Sequence, residues 1–253
     1  MPKRFVVFAS IFLSLSASAD TLGEIRAALR GLHAKQPIRA TYETKSGNVA
    51  KGRFFDQDVT SGATVEARVD DDGATITYPR PQLERATAQR AARDAGAKRD
   101  PKVPSVADVS ATRIAEMLDF AKSLDAMLDR ATVVEERAGA VDGKPARLVV
   151  MNLSLRDRPE IKGGRFDVKG DRLTLWIGAD SLPLVAERAA KFSAGILFLK
   201  MQGDVAEKWT FAHRDDRLVI TRYERTDHSA GMGQSANNRE VETITIRSAP
   251  AAP

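Results

Sequence analysis

The sequence predicts an α+β fold: one large antiparallel β-sheet with a few helices. Three observations predict it. From Thr132 to Arg247 one extended segment follows another, with Gly, Asp or Pro at the separators. Helical periodicity is confined to two clusters and does not recur between strands, which argues against a doubly wound parallel sheet. Within Thr64–Asp70, Val65, Ala67 and Val69 alternate with Thr64, Glu66 and Arg68, the pattern of an antiparallel strand with one buried face.

The chain opens Met1-Pro2-Lys3-Arg4, runs apolar from Phe5 to Leu15, and closes Ala17-Ser18-Ala19 before Asp20. A basic start, a short apolar stretch and an A-x-A site predict a cleaved secretory signal at residues 1–19. The apolar run is about half of the ~20 residues a spanning helix needs. The expected location is therefore the bacterial periplasm. No cysteine occurs in the 253 residues, so the exported protein is not expected to carry a lipid anchor. The same absence excludes thiol catalysis and thiolate metal sites.

Leu22, Ile25, Leu29 and Leu32 recur at helical spacing, and Thr21 with Glu24 has the capping-box spacing. Four strands are expected next, at Ile38–Lys45, Ala50–Gln57, Thr64–Asp70 and Ala74–Tyr78. Ser46-Gly47-Asn48, Ser61-Gly62 and Asp71-Asp72-Gly73 are the expected turns. A basic helical and linker excursion follows at 80–104, helical to about Ala97. A second helix is expected from about Asp108 to Arg130, with an apolar stripe of Ile114, Met117, Leu118, Ala121, Leu124, Met127 and Leu128.

The strand series then runs Thr132–Ala140, Ala146–Arg156, Phe166–Lys169, Arg172–Ile177, Leu184–Phe192, Ile196–Met201, Ala206–His213, Leu218–Thr226 and Glu240–Arg247. Asp142-Gly143 is a hairpin signal. Leu148–Met151 and Ile196–Leu199 are apolar on both faces, so both sides of those strands need cover. Either helices and sheet curvature fill the interior, or a curved sheet surrounds a cavity for an apolar ligand. The domain is expected to run from 20 to 248, with 249–253 as a disordered tail.

Three stretches resemble the LolA/LolB/RseB group of periplasmic proteins. They are Leu22-Gly-Glu-Ile-Arg-Ala-Ala-Leu29 leading into Ile38-Arg-Ala-Thr-Tyr42, the Asp72-Gly73-Ala74-Thr75-Ile76-Thr77-Tyr78-Pro79 strand, and Leu173-Thr-Leu-Trp-Ile177 with Leu182-Pro183-Leu184. The resemblance implies an unclosed antiparallel barrel, strongly curved, with helices in its concave face. It also implies a periplasmic binder or sensor of a lipid, acyl chain or lipoprotein.

No other motif carries chemistry. His33, His213 and His228 have no metal-ligand spacing, and no nucleophile elbow, Walker loop or S-x-x-K occurs. Gly231-Met232-Gly233-Gln234-Ser235-Ala236 matches a dinucleotide fingerprint but lacks the following helix, so a flexible loop at 228–238 is expected. No catalytic residue, cofactor or metal is expected.

Candidate cavity residues are Met117, Leu118, Leu124, Met127, Trp176, Phe192, Phe198, Trp209 and Phe211. Residues 80–102 carry seven Lys/Arg against three acidic residues. Arg80, Arg85, Arg90, Arg93, Lys98, Arg99 and Lys102 are therefore candidates for an anionic membrane surface. Interleaved aromatics are missing, so nucleic acid is not an expected partner. The formal net charge of +5 falls to +3 without Lys3 and Arg4. The expected function is non-enzymatic binding of a hydrophobic ligand. The alternative is an interaction or sensor protein with a filled core that meets an envelope protein through its sheet or basic segment.

Overall fold

The computed structural model describes residues 17–33, 36–52, 55–70, 72–96, 109–154, 164–196 and 199–247. The elements are α1 (Ala17–Arg30), β1 (Ile38–Gly52), β2 (Phe55–Asp70), β3 (Gly73–Thr77), α2 (Arg80–Asp94), α3 (Ala111–Leu118) and α4 (Ala121–Leu128). They continue with β4 (Ala131–Val141), β5 (Lys144–Leu153), β6 (Gly164–Ile177), β7 (Pro183–Ile196), β8 (Leu199–Arg214), β9 (Arg217–Gly231) and β10 (Gln234–Arg247). All ten strands form one antiparallel sheet in the order β3-β2-β1-β10-β9-β8-β7-β6-β5-β4. The sheet is not closed: β3 and β4 are its edges.

The strands are longer and fewer than the turn residues suggested. Ser46-Gly47-Asn48 lies inside β1, and Ser61-Gly62 lies opposite it inside β2. These residues stay extended because each has a cross-strand partner: Ser46 and Ser61 share a 2.8 Å hydroxyl hydrogen bond, and Asn48 donates to Asn238. Likewise Gln202-Gly203-Asp204 is continuous β8, and the reversal falls between Ile196 and Leu199. The segment expected as the strand Ile196–Met201 is thus the end of one hairpin, and its Leu197 and Phe198 lie outside the described residues. The expected loop at 228–238 is also strand. His228 pairs with Asn237, and only Met232 and Gly233 turn, both with positive φ (54° and 75°). That mirror-image two-residue turn matches the strand twist, and glycine accepts it without steric cost. The predicted Asp142-Gly143 hairpin forms in the same way.

One continuous helix was expected over 108–130, but the chain breaks it at Asp119-Phe120. Asp119 leaves helical geometry (φ −150°, ψ 77°), which sends the Phe120 N–H to the Leu218 carbonyl of β9 at 2.8 Å. Thr21 is likewise not a cap: α1 begins before it, and its hydroxyl donates to Glu136 of β4 at 2.7 Å. No helix among the described residues is long and apolar enough to cross a membrane.

A single apolar core joins α1, α3 and α4 to one face of the sheet. Ile25 and Leu29 of α1, with Ile114, Met117, Leu118, Leu124 and Leu128 of α3 and α4, meet Tyr42, Val65, Val149, Met151, Leu173, Leu175, Leu218 and Ile220. Ion pairs from Arg26 to Asp125 (2.6 Å) and from Arg30 to Asp125 (3.0 Å) hold α1 along α4. The Arg26 guanidinium keeps the Asp125 carboxyl below the usual carboxylate range. β5 is buried on both faces as expected, from Leu148 to Met151.

Candidate functional site

The helix-bearing face divides into two zones. Alternation along each strand places Tyr223, Trp209, Ala186 and Leu175 on this face, in register across β9, β8, β7 and β6, and the row ends at Glu242 of β10. One step further along the same strands Glu207 on β8 pairs with Arg188 on β7, which lies opposite Leu173 of β6, and Asp171 is the next inward position of β6. The apolar zone lies under α1, α3 and α4.

The centre of the apolar zone is closely packed. Met117, Leu118, Ile114, Val149, Met151, Leu173, Leu175, Leu218 and Ile220 are 0% exposed. A side chain with no accessible area borders no space that admits a water molecule, so none of these lines a cavity. Phe120 completes the packing: its ring stacks on Trp209 (6.2 Å between centroids) and on Phe211 (5.9 Å).

A chain of polar contacts runs along the boundary. The Tyr42 hydroxyl donates to Glu242 Oε1 at 2.5 Å, and Arg113 of α3 donates to Glu242 Oε2 through Nε (2.9 Å) and Nη2 (2.7 Å). The Arg113 guanidinium lies over the Tyr223 ring, 4.5 Å from its centroid. Tyr223 donates to Glu207 at 2.7 Å, and Arg188 joins Glu207 (3.2 Å) to Asp171, which it grips with two hydrogen bonds of 2.8 and 2.9 Å. Burial raises the Tyr42 and Tyr223 hydroxyls above the ordinary tyrosine range, and carboxylates Glu242 and Glu207 add to it. Both therefore stay protonated donors at physiological pH. Glu240, one inward position beyond Glu242, is pushed up by burial and by repulsion from Glu242.

The candidate cavity residues do not all come together. Met117, Leu118, Leu124, Trp209 and Phe211 are core residues of the apolar zone, and Met127 packs against it half-buried. Trp176 sits on the opposite face, in register with Leu148 and Val185, because its strand neighbours Leu175 and Ile177 take the helix-bearing side. Phe192 is half-buried past the ionic boundary, where its ring fills the space a Gly203 side chain would take (2.5 Å from an added Cβ). Phe198 lies outside the described residues. Of the basic candidates, Arg80, Arg85 and Arg90 are exposed on α2. Lys98, Arg99, Lys102 and the Arg93 side chain lie outside the described residues.

Sequence reasoning missed Phe120 and the whole Arg113–Glu242–Tyr42 and Arg188–Glu207–Tyr223 system. The available signal was a charged residue two positions from a core aromatic on one strand, as with Glu207 and Trp209. Bulges between Thr210 and Phe211 and between Lys169 and Arg172 break the alternation that would have revealed it. Among the described residues no group of three or more His, Asp or Glu could hold a metal ion.

No family model and no curated protein matches the chain. Solved structures similar to it include the following two. One is a domain assigned to outer membrane lipoprotein sorting from Vibrio parahaemolyticus: 10% identity, 93% of this chain, 95% of that one, TM-score 0.35. The other is MucB in complex with MucA(peri): 11% identity, 92% of this chain, 100% of that one, TM-score 0.18.

Proposed function

We propose that this is an exported, non-enzymatic binding protein of the bacterial envelope that works with a filled core and engages a protein partner from its surface. The proposed mature chain starts at Asp20, after cleavage of the signal, and resides in the periplasm. The observation that carries the proposal is the sealed apolar zone, with Met117, Leu118, Leu173 and Leu218 at 0% exposure. A resident acyl chain would need walls with accessible area, and these have none. Two exposed features supply contact surface instead: the unpaired outer side of β4 and the basic helix α2. In this reading the helix-bearing face is the concave side of the sheet, and α2 faces an anionic surface through Arg80, Arg85 and Arg90.

Carriage of a lipid or lipoprotein acyl chain is the second reading. The break at Asp119-Phe120 favours it, because two short helices can lift separately where one long helix could not. Native mass spectrometry and lipid extraction of protein purified from the envelope, with a fluorescent hydrophobic probe added to the purified protein, tests the choice. A filled core predicts no co-purifying lipid and no saturable probe binding. A stoichiometric lipid would overturn the first reading in favour of the second.

A further inference from the structure

Three strand reversals stand side by side at one end of the sheet. They join β1 to β2 between Gly52 and Phe55, β9 to β10 between Gly231 and Gln234, and β7 to β8 between Ile196 and Leu199. The strand order β2-β1-β10-β9-β8-β7 makes them neighbours, in a row roughly 25 Å wide at the usual strand spacing. The apolar core stops short of them: its last members in this direction are Tyr42 on β1 and Ala63 on β2, and these strands run on to Gly52 and Phe55. Arg53, Phe54, Leu197 and Phe198, which link the strands, lie outside the described residues. Of the large apolar side chains exposed among the described residues (Val49, Leu83, Val134, Met201 and Met232), three, Val49, Met201 and Met232, belong to this end. The reversals at the opposite end are acidic and polar instead: Asp72-Gly73, Asp142-Gly143, Asp180-Ser181 and Asp215-Asp216.

Neither backbone geometry nor packing explains a methionine at 232. It sits at φ 54° before Gly233, in a two-residue turn like that of Asp142-Gly143, where Asp142 has φ 49°. Asn and Asp tolerate this left-handed conformation because their short polar side chains bond locally, and methionine has no such compensation. The Met232 side chain is 62% exposed, so the core gains nothing from it either. Charge points the same way. Within two positions of this end of β1, β2 and β6 to β10 the cations are Lys51, Arg165 and Lys200, against Asp56 alone. Lys51 and Lys200 are exposed and form no ion pair with another described residue.

We infer that this end of the sheet docks on an anionic lipid surface, with Met232 and Met201 entering the interfacial layer and Lys51 and Lys200 meeting the headgroups. Apolar tips flanked by cations supply both parts of interfacial binding, apolar area buried at the boundary and attraction to anionic lipid. Seen end-on, a row this wide and one sheet thick offers roughly 250 Å², well below the roughly 800 Å² per partner of a standard protein interface. A bilayer therefore suits it better than a folded protein. The contact rests on the envelope location proposed above, but not on whether the core is filled, and it is separate from the surface that α2 faces.

The chain has no cysteine, so one introduced cysteine carries a single environment-sensitive fluorophore. The mature chain with Met232→Cys, and separately with Asp142→Cys at the opposite end, is labelled and mixed with phosphatidylcholine vesicles with and without phosphatidylglycerol. A saturable blue shift is expected from position 232 with the phosphatidylglycerol vesicles, and none from position 142. In vesicle sedimentation of unlabelled protein, Met232→Asn should weaken binding about tenfold, from the methionine area no longer buried. Asn accepts the positive φ of the turn, so the fold is kept, and urea denaturation of the variant checks that. Lys51→Gln and Lys200→Gln should each weaken binding about fivefold. The inference is overturned if position 232 gives no shift, if position 142 shifts as much, or if Met232→Asn binds like wild type. Loss of binding in Arg85→Gln/Arg90→Gln with Met232→Asn unaffected would also overturn it, because α2 would then be the contact. A blue shift at 232 that grows with protein concentration in the absence of vesicles would overturn it in favour of a second copy of the chain.

Discussion

Arg113 joins Glu242, Glu116 and the Tyr223 ring. It reaches from α3 to Glu242, whose side chain is 4% exposed, and lies flat over Tyr223. Desolvation is costly for such a pair, so the ion pair is poor evidence of net stabilisation. Its removal is another matter. In Arg113→Ala the Glu242 carboxylate would stay buried, with only the Tyr42 hydroxyl left to satisfy it. Arg113 itself is 27% exposed, so water replaces part of what is lost. The expected cost is about 2–4 kcal/mol in urea denaturation. In an Arg113→Ala/Glu242→Gln double variant the orphaned charge is gone, so most of that loss should return. A double variant no more stable than Arg113→Ala would show that the arginine acts by packing on Tyr223 and not by neutralising Glu242.

At the scale of elements, the α3–α4 junction decides how the helices meet the sheet. A continuous helix would carry its apolar stripe across the face at one angle. The break lets Phe120 drop between Trp209 and Phe211 and gives its N–H to Leu218. Phe120→Ala should cost about 3–5 kcal/mol by the cavity it leaves, measured by thermal or urea unfolding. It should also reduce the near-ultraviolet dichroism of Trp209. A loss below about 1 kcal/mol would mean that the junction collapses without a void.

That break also marks where the sequence stops being legible. The stripe from Ile114 to Leu128 was readable because helical periodicity survives the interruption: Ile114, Met117, Leu118, Leu124 and Leu128 are all buried. The interruption was not readable, since nothing in Leu118-Asp119-Phe120 forbids helix, and a tertiary bond to β9 selects the break. Turns divide in the same way. Asp142-Gly143 needs positive φ and turns, whereas Ser46-Gly47-Asn48 only tolerates a turn and is held extended by β2 and β10. The antiparallel sheet, the helix clusters and the core placement of Met117, Leu118, Leu124, Trp209 and Phe211 were therefore accessible from local pattern. The ionic boundary was not, because its members are brought together across six strands and a helix.

At the scale of the whole molecule, the sheet is joined through its chain ends. β1 and β10 pair from Arg39 with Arg247 to Gly52 with Gln234, and without that seam the sheet would fall into β3-β2-β1 and β10-to-β4. α3 packs on both parts, touching β2, β3 and β9, and the Tyr42–Glu242–Arg113 contacts cross the same seam. The two parts share α3 and one apolar core, so the described chain is expected to unfold as one cooperative unit. The two tryptophans provide the measurement. Trp209 is 4% exposed inside the shared core, while Trp176 lies on the opposite face. In Trp176→Phe all tryptophan emission reports the core, and far-ultraviolet dichroism reports the whole sheet. Their urea midpoints should coincide. Separated midpoints would mean that the two sides of the seam unfold independently, and that the packing of α3 across it contributes little to holding them together.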